Sequence, residues 1–282
     1  ITRHASLRTV FDAHDTTPYQ VILPSLSFKE EDCYLNLSPS HKTDIHKILF
    51  QETNHPFDLS KGPLVRLKLI KLREEEYVLL MTMHHIISDG WSMGILLQEL
   101  SACYNAYINN QSPPLSPLPI QYADFAIWQR SWFEGEALEK QVTYWKNQLQ
   151  GIPDQLSLPT DKPRPKELSY KGNHASFSLP KHLKKEILSF VQQEGVSSFM
   201  FFLTLFQTLL YRYSHQEDIV VGSPIANRHY KETEGLLGFF VNTLALRTYF
   251  KKHTSFKNLL QQVKALTLDA YQHQDIPFEQ LV

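Results

Sequence analysis

Apolar and polar positions fall into blocks along the chain, and the central blocks are the clearest. Val65 to Leu72 alternates apolar with basic residues, the pattern of a half-buried strand. Glu74-Glu75-Glu76 is a polar turn, and Tyr77-Val78-Leu79-Leu80-Met81-Thr82-Met83 is an apolar run suited to a second strand. Behind it, Met93, Leu96, Leu97, Leu100, Cys103, Tyr104 and Tyr107 recur at three- and four-residue steps. That spacing predicts one face of a helix, with Ser92 placed to cap it. His84 and His85 therefore sit where a strand ends and a short loop turns into a helix, with Asp89-Gly90 as a turn signal inside that loop.

The flanking blocks repeat this grammar. The stretch from Ile1 to Phe11 reads as the end of a helix, and Tyr19 to Leu23 as a strand. Ile45, Ile48 and Leu49 mark a helix from Thr43 to Gln51. Asn109 to Pro119 carries four prolines and predicts a surface connection. Tyr122 to Phe133 is aromatic and helical, Gly135 breaks it, and Glu136 to Gln150 continues as another helix. A long proline-bearing connection, Gly151 to Gly172, follows, and the boundary between two lobes is placed there, giving 1–165 and 166–282. Beyond it, Asn173 to Leu179 alternates as a strand, and Leu183, Ile187, Phe190 and Val191 mark a helix. Ser197 caps a strongly apolar helix to Tyr213, expected to be buried on most sides. Asp218 to Gly222 and Val241 to Phe250 read as strands, and Ser255 starts a last helix. Helices covering sheets make the fold α/β or α+β.

Composition adds limits. Of 282 residues, 42% are hydrophobic and 20% charged, enough apolar mass for a sizeable core. A formal net charge of -1 without a basic stripe argues against nucleic acid as a partner. Cys33 and Cys103 lie far apart and suit a reducing compartment, hence the cytoplasm. The longest apolar candidate for a membrane span, Phe199 to Tyr211, is interrupted by Thr204, Gln207 and Thr208. No signal or transit peptide is visible.

The chemistry concentrates at the histidine pair. An imidazole there can take or share a proton near neutral pH. A carboxylate four residues on has two possible jobs: fixing the ring's tautomer, or binding an arginine and holding the loop's shape. Spacing does not choose between them. A metal site is disfavoured, because adjacent side chains diverge in an extended segment and no further ligands gather nearby.

The run Met83-His84-His85-Ile86-Ile87-Ser88-Asp89-Gly90-Trp91-Ser92 resembles the central motif of the condensation domains of nonribosomal peptide synthetases. Four more segments resemble motifs of that family, in its order. They are Arg3 to Phe11, Tyr122 to Trp128, Leu237 to Arg247 and His273 to Glu279. The family's first and last motifs are absent, so the chain resembles an internal piece cut at both ends. The resemblance implies two chloramphenicol-acetyltransferase-like lobes in a V-shaped pseudo-dimer, with the second lobe incomplete and an active-site tunnel between them. It implies amide formation: an acceptor amine attacks a donor thioester, both tethered to carrier domains by 4'-phosphopantetheine. The domain itself would bind no cofactor. Partners would be donor and acceptor carrier domains, with an adenylation domain adjacent.

The same resemblance assigns roles. His85 is the residue expected to touch the reacting amine, as a base or by holding it. His84 and Asp89 are expected to be structural, with Asp89 paired to an arginine, either Arg3 or Arg8. Gly90 would let the backbone turn or approach the pantetheine. Trp91, Ser92 and Asn242 are candidate substrate contacts. Tyr122, Asp124 and Trp128 are expected to pack, and His55 and Asp58 to shape a loop. Ala5 stands where the family usually has glutamate. Alternatives are a catalytically silent docking domain and an epimerisation domain of the same fold. A heterocyclisation domain would carry aspartate in place of the histidine pair. A free CoA-dependent acyltransferase would share His-x-x-x-Asp-Gly without the companion motifs.

Overall fold

Asp15 and Thr16 both take positive φ, 46° and 67°. They form the two-residue turn that lets a right-handed twisted hairpin close. That hairpin joins β1 (Thr9–His14) to antiparallel β2 (Thr17–Ile22). In this computed structural model all residues are described except 37–41, 164, 168–171 and 282. The helix expected to end near Phe11 is a single 3-10 turn, Ala5–Arg8, after which the chain is extended. Thr9, Val10 and Phe11 are two β-branched residues and an aromatic, which favour the pleated conformation.

Next come α1 (Glu30–Cys33), β3 (Tyr34–Asn36) and α2 (Lys42–Asn54). Strands β4 (Val65–Arg73) and β5 (Glu76–Met83) then pair antiparallel, with β3 parallel to β4 on the other edge. Helix α3 spans Gly90–Ile108 and α4 spans Tyr122–Trp132. The predicted helix start moves three residues earlier, because Asp89, not Ser92, is the cap: its carboxylate accepts the Ser92 N–H.

Helices α5 (Gly135–Leu149), α6 (Lys181–Gln193) and α7 (Ser198–Ser214) follow. Strand β6 (Asp218–Ile225) pairs antiparallel with β7 (Asn242–Tyr249), and α8 (Phe256–Gln272) ends the regular structure. Ser197 and Ser255 cap α7 and α8, accepting from the backbone N–H of Met200 and Asn258.

Two expectations fail in this half. The alternating stretch 173–179 forms no strand, since alternation licenses a strand only where an edge offers hydrogen bonds and no described residue pairs with it. Helix α7 is amphipathic rather than buried on most sides. Met200, Phe201, Leu203 and Leu210 are in the core, whereas Phe199, Phe202, Leu205, Phe206, Leu209 and Tyr213 are 40–58% exposed.

By contacts the chain forms two units: Ile1–Glu134 with Ala226–Val241, and Gly135–Ile225 with Asn242–Val282. The 165/166 boundary drawn from the proline-bearing connection falls within the second unit. In the first unit, Leu7, Leu64, Val65, Ile87 and Leu237 form one core cluster, and Phe125, Leu236 and Phe240 another. In the second, Leu210, Ile219, Phe250 and Leu259 pack together, as do Val191, Phe201 and Leu260.

Candidate functional site

β5 delivers the histidines. The His84 N–H donates to the Leu64 carbonyl at 2.9 Å, which pins the end of the strand. The His84 side chain then turns back on its own loop: Nδ1 accepts the Ile86 N–H at 3.0 Å, capping a 3-10 turn at His85–Ile87. In the neutral ring this bond puts the proton on Nε2. Phe57 lies edge-on to the ring at 5.9 Å. Ile87 is 1% exposed and anchors the turn in the core.

His85 faces the other way and is exposed. Among the described residues no hydrogen bond reaches its ring. Its one ring contact is Phe239, with centroids 5.1 Å apart and planes at 89°.

Asp89 does not touch His85's ring. Its Oδ1 accepts the Ser92 N–H at 2.8 Å and lies 2.7 Å from the Ser92 hydroxyl; Oδ2 accepts the Phe240 N–H at 3.0 Å. The cation beside it is Arg228, whose Nη2 lies 3.0 Å from Oδ1 and 3.3 Å from Oδ2. Burial alone would raise the Asp89 carboxyl. The Ser92 and Phe240 hydrogen bonds and the Arg228 charge outweigh it and hold the carboxyl below the usual range. Of the two jobs open to this aspartate, the geometry shows the second.

The arginine expected in the pair was Arg3 or Arg8, and neither reaches it. Arg3 donates to Glu99 at 2.8 Å and to the Ser116 carbonyl; Glu99 also holds buried His4 at 2.6 Å. Arg8 donates to the Leu23 carbonyl. Arg228 wins because its guanidinium has more to satisfy in one place. Nη1 donates to the Thr233 and Leu236 carbonyls at 2.6 and 2.8 Å, Nη2 also reaches the Ser92 hydroxyl, and the plane lies 4.0 Å over the Phe240 ring. No sequence signal marked it: it lies in an aperiodic loop after β6.

The other candidates sort as follows. Gly90 opens α3, and a Cβ there would meet no atom within 4 Å, so neither packing nor strain requires glycine. Trp91 is half exposed, and its indole N–H donates to the Glu234 carbonyl at 3.0 Å. Ser92 is fully buried, its hydroxyl shared among Asp89, Gly238 and Arg228, so it holds the scaffold rather than substrate. Asn242 is 8% exposed. Its amide donates to the Gln274 and Ile276 carbonyls, both at 2.8 Å, and its oxygen accepts from Thr243 and Phe278. Every polar position on Asn242 is taken, which replaces the substrate contact with a backbone clasp inside the second unit. Tyr122 packs as expected, against Phe125 and Phe240. Among the described residues, no group of three His, Cys, Asp or Glu side chains could hold a metal ion.

The mixed α/β scaffold that presents this loop has the fold of solved condensation domains. The chain belongs to the condensation domain family, whose model matches residues 1–282, and whose function is peptide-bond formation. It is 48% identical over 284 residues to one subunit of the linear gramicidin synthase of Brevibacillus parabrevis, covering 100% of this chain and 6% of that protein. It is 44% identical to malpinin synthetase of Mortierella alpina, covering 99% of this chain and 4% of that one. Among solved structures, the X-domain from teicoplanin biosynthesis is 28% identical with a TM-score of 0.89, over 99% of this chain and 62% of that one. That X-domain is also known in complex with OxyB. The condensation domain of the Monacolin K polyketide synthase MokA has the same fold at 22% identity, with a TM-score of 0.83 over 99% of this chain and 64% of that one. The chain thus spans a small fraction of the synthetases it matches.

Proposed function

We propose that this chain joins two carrier-tethered acyl groups, the amine of one attacking the thioester of the other. The observation that carries the reading is the division of labour in the loop. His85 is exposed and its ring is free of hydrogen bonds among the described residues, while Asp89 is committed to Arg228, Ser92 and Phe240. An imidazole so presented takes or shares the amine's proton as the carbon–nitrogen bond forms and the donor thiol leaves. A neutral amine and a thioester are already competent reactants, so alignment contributes most: about 7–11 kcal/mol is available from positioning, against about 10²–10⁴-fold from proton transfer.

On this reading the partners are a donor and an acceptor carrier domain and a neighbouring adenylation domain. The substrates arrive on 4'-phosphopantetheine, and the protein works in the cytoplasm. No described helix is long and apolar enough to cross a membrane. The division into two acetyltransferase-like lobes, 1–165 and 166–282, belongs to the same proposal.

The likeness to the X-domain, which is known in complex with OxyB, favours one second reading, a domain that docks a protein partner. The two separate on one experiment. The full protein carrying this chain is given donor and acceptor carriers loaded with aminoacyl groups, and the carriers are analysed by mass spectrometry. A dipeptidyl thioester on the acceptor supports amide synthesis. Carrier binding without product from any pair supports docking.

A further inference from the structure

We infer that Phe239 and Tyr122 are positioning residues for His85, holding the imidazole at the angle the reaction uses. The kinetic half of this inference rests on the amide-forming reading above; the contact itself rests on geometry.

His85 lacks the usual means of fixing an imidazole. Neither of its nitrogens is held by a hydrogen bond among the described residues, and Asp89, the nearest carboxylate in the motif, is turned to Arg228. The Phe239 ring stands in for that missing orienter, edge to face at 5.1 Å. Phe239 is 37% exposed, so its place comes from its backbone, not from burial. That backbone is fastened at three consecutive residues. The Gly238 N–H donates to the Ser92 hydroxyl at 3.1 Å, the Phe240 N–H donates to Asp89 at 3.0 Å, and the Phe239 carbonyl between them accepts the Tyr122 hydroxyl at 2.8 Å.

Tyr122 fits against this segment closely. A Cβ at Gly238 would lie 2.2 Å from Tyr122 Cδ2, so glycine is what lets the phenol ring reach the carbonyl. Burial, and then the Asp89 charge, push the Tyr122 phenol up to about 12, with Arg228 opposing. The hydroxyl therefore keeps its proton and its role as donor throughout the working range. The clamp also explains why the two motifs lie together: Asp89 and Ser92 of the histidine loop grip the segment whose ring meets His85.

The test has two arms on the full protein. In the first, histidines are labelled with diethyl pyrocarbonate, and each site is quantified by peptide mass spectrometry. Phe239→Ala should speed labelling of His85 severalfold, with exposed His182 and His253 unchanged. In the second, single-turnover amide formation is measured at varied carrier concentration. Phe239→Ala should lower the maximal rate about tenfold, the scale of one ring contact, leaving the half-saturating carrier concentration unchanged. Tyr122→Phe should lower it about fivefold, the scale of one neutral hydrogen bond, whereas Phe239→Tyr, which keeps the ring that Phe239→Ala removes, should retain the parent rate. In a His85→Ala background, Phe239→Ala should have no further effect.

Unchanged His85 labelling overturns the contact. A loss that persists in the His85→Ala background, or that appears only in carrier saturation, overturns the positioning role. A parent that makes no amide with any carrier pair removes the reaction and the positioning role with it, and the labelling arm still decides the contact.

Discussion

Asp89 accepts hydrogen bonds from the backbone of Ser92 and Phe240 and from the guanidinium of Arg228, at 5% exposure. Removing it strands a cation whose side chain is 1% exposed. Asp89→Ala should therefore cost about 3–5 kcal/mol in urea unfolding, the penalty for breaking a buried pair from one side. The pair also sets an acid limb. The Asp89 carboxyl titrates below its ordinary value near 3.9, so the unfolded chain takes up that proton first. The stability it contributes is complete above the ordinary value and is lost as pH falls through the folded one. Asp89→Asn should flatten that limb, read from unfolding midpoints across pH 2 to 6.

The histidine pair and the aspartate are legible in the sequence because their residue types and spacing are local. The arginine is not. It lies 139 residues away, and such a pairing leaves no mark on periodicity or spacing. Arg3 and Arg8 are nearer to a recognisable motif, but Glu99 and the Leu23 carbonyl are closer to them in space. Asn242 departs from expectation for a related reason. A polar residue opening a strand can face a substrate or clasp a neighbouring segment, and only the positions of Gln274, Ile276 and Phe278 decide.

Among the elements, β4 follows from alternation, β5 from its apolar run and the helix after them from three- and four-residue steps, with boundaries shifted by at most three residues. The departures come where a pattern needs a partner to become structure. Residues 173–179 alternate but meet no ladder among the described residues, and α7 is apolar on a face that no described element covers. The loop 226–241 shows the opposite case: it has no period, yet its backbone is held by Asp89, Ser92, Tyr122 and Arg228. Gly238 is its tightest point. Gly238→Ala would drive a methyl group into the Tyr122 and Phe240 rings, and should destabilise the protein by about 1–3 kcal/mol in thermal or urea unfolding.

Across the whole molecule, two units carry separate cores, and residues 226–241 belong by contacts to the first although the strands on either side belong to the second. The long proline-bearing connection suggests a division because composition changes there, and composition does not record where a later segment packs. Within the second unit, Arg247 ties the sheet to a helix end. It grips Asp218 at 2.7 and 2.9 Å and donates to the Gln148 and Gln150 carbonyls at 2.9 Å. Arg247→Met should remove about 1.5–3 kcal/mol, the scale of hydrogen bonds to a charged group. The loss should show as faster amide exchange in β6, β7 and the end of α5, with β4 and β5 unchanged.

If an exposed His85, on a loop locked from beneath, serves amide formation between tethered substrates, its removal must slow the bond-forming step itself. Single-turnover synthesis resolves that step. The full protein and its His85→Ala variant would each be given donor and acceptor carriers loaded with aminoacyl groups. The parent should yield a dipeptidyl thioester, and the variant should do so about 10²–10⁴-fold more slowly, with carrier binding intact in both. Equal rates in the two proteins would contradict a role for His85 in the chemistry.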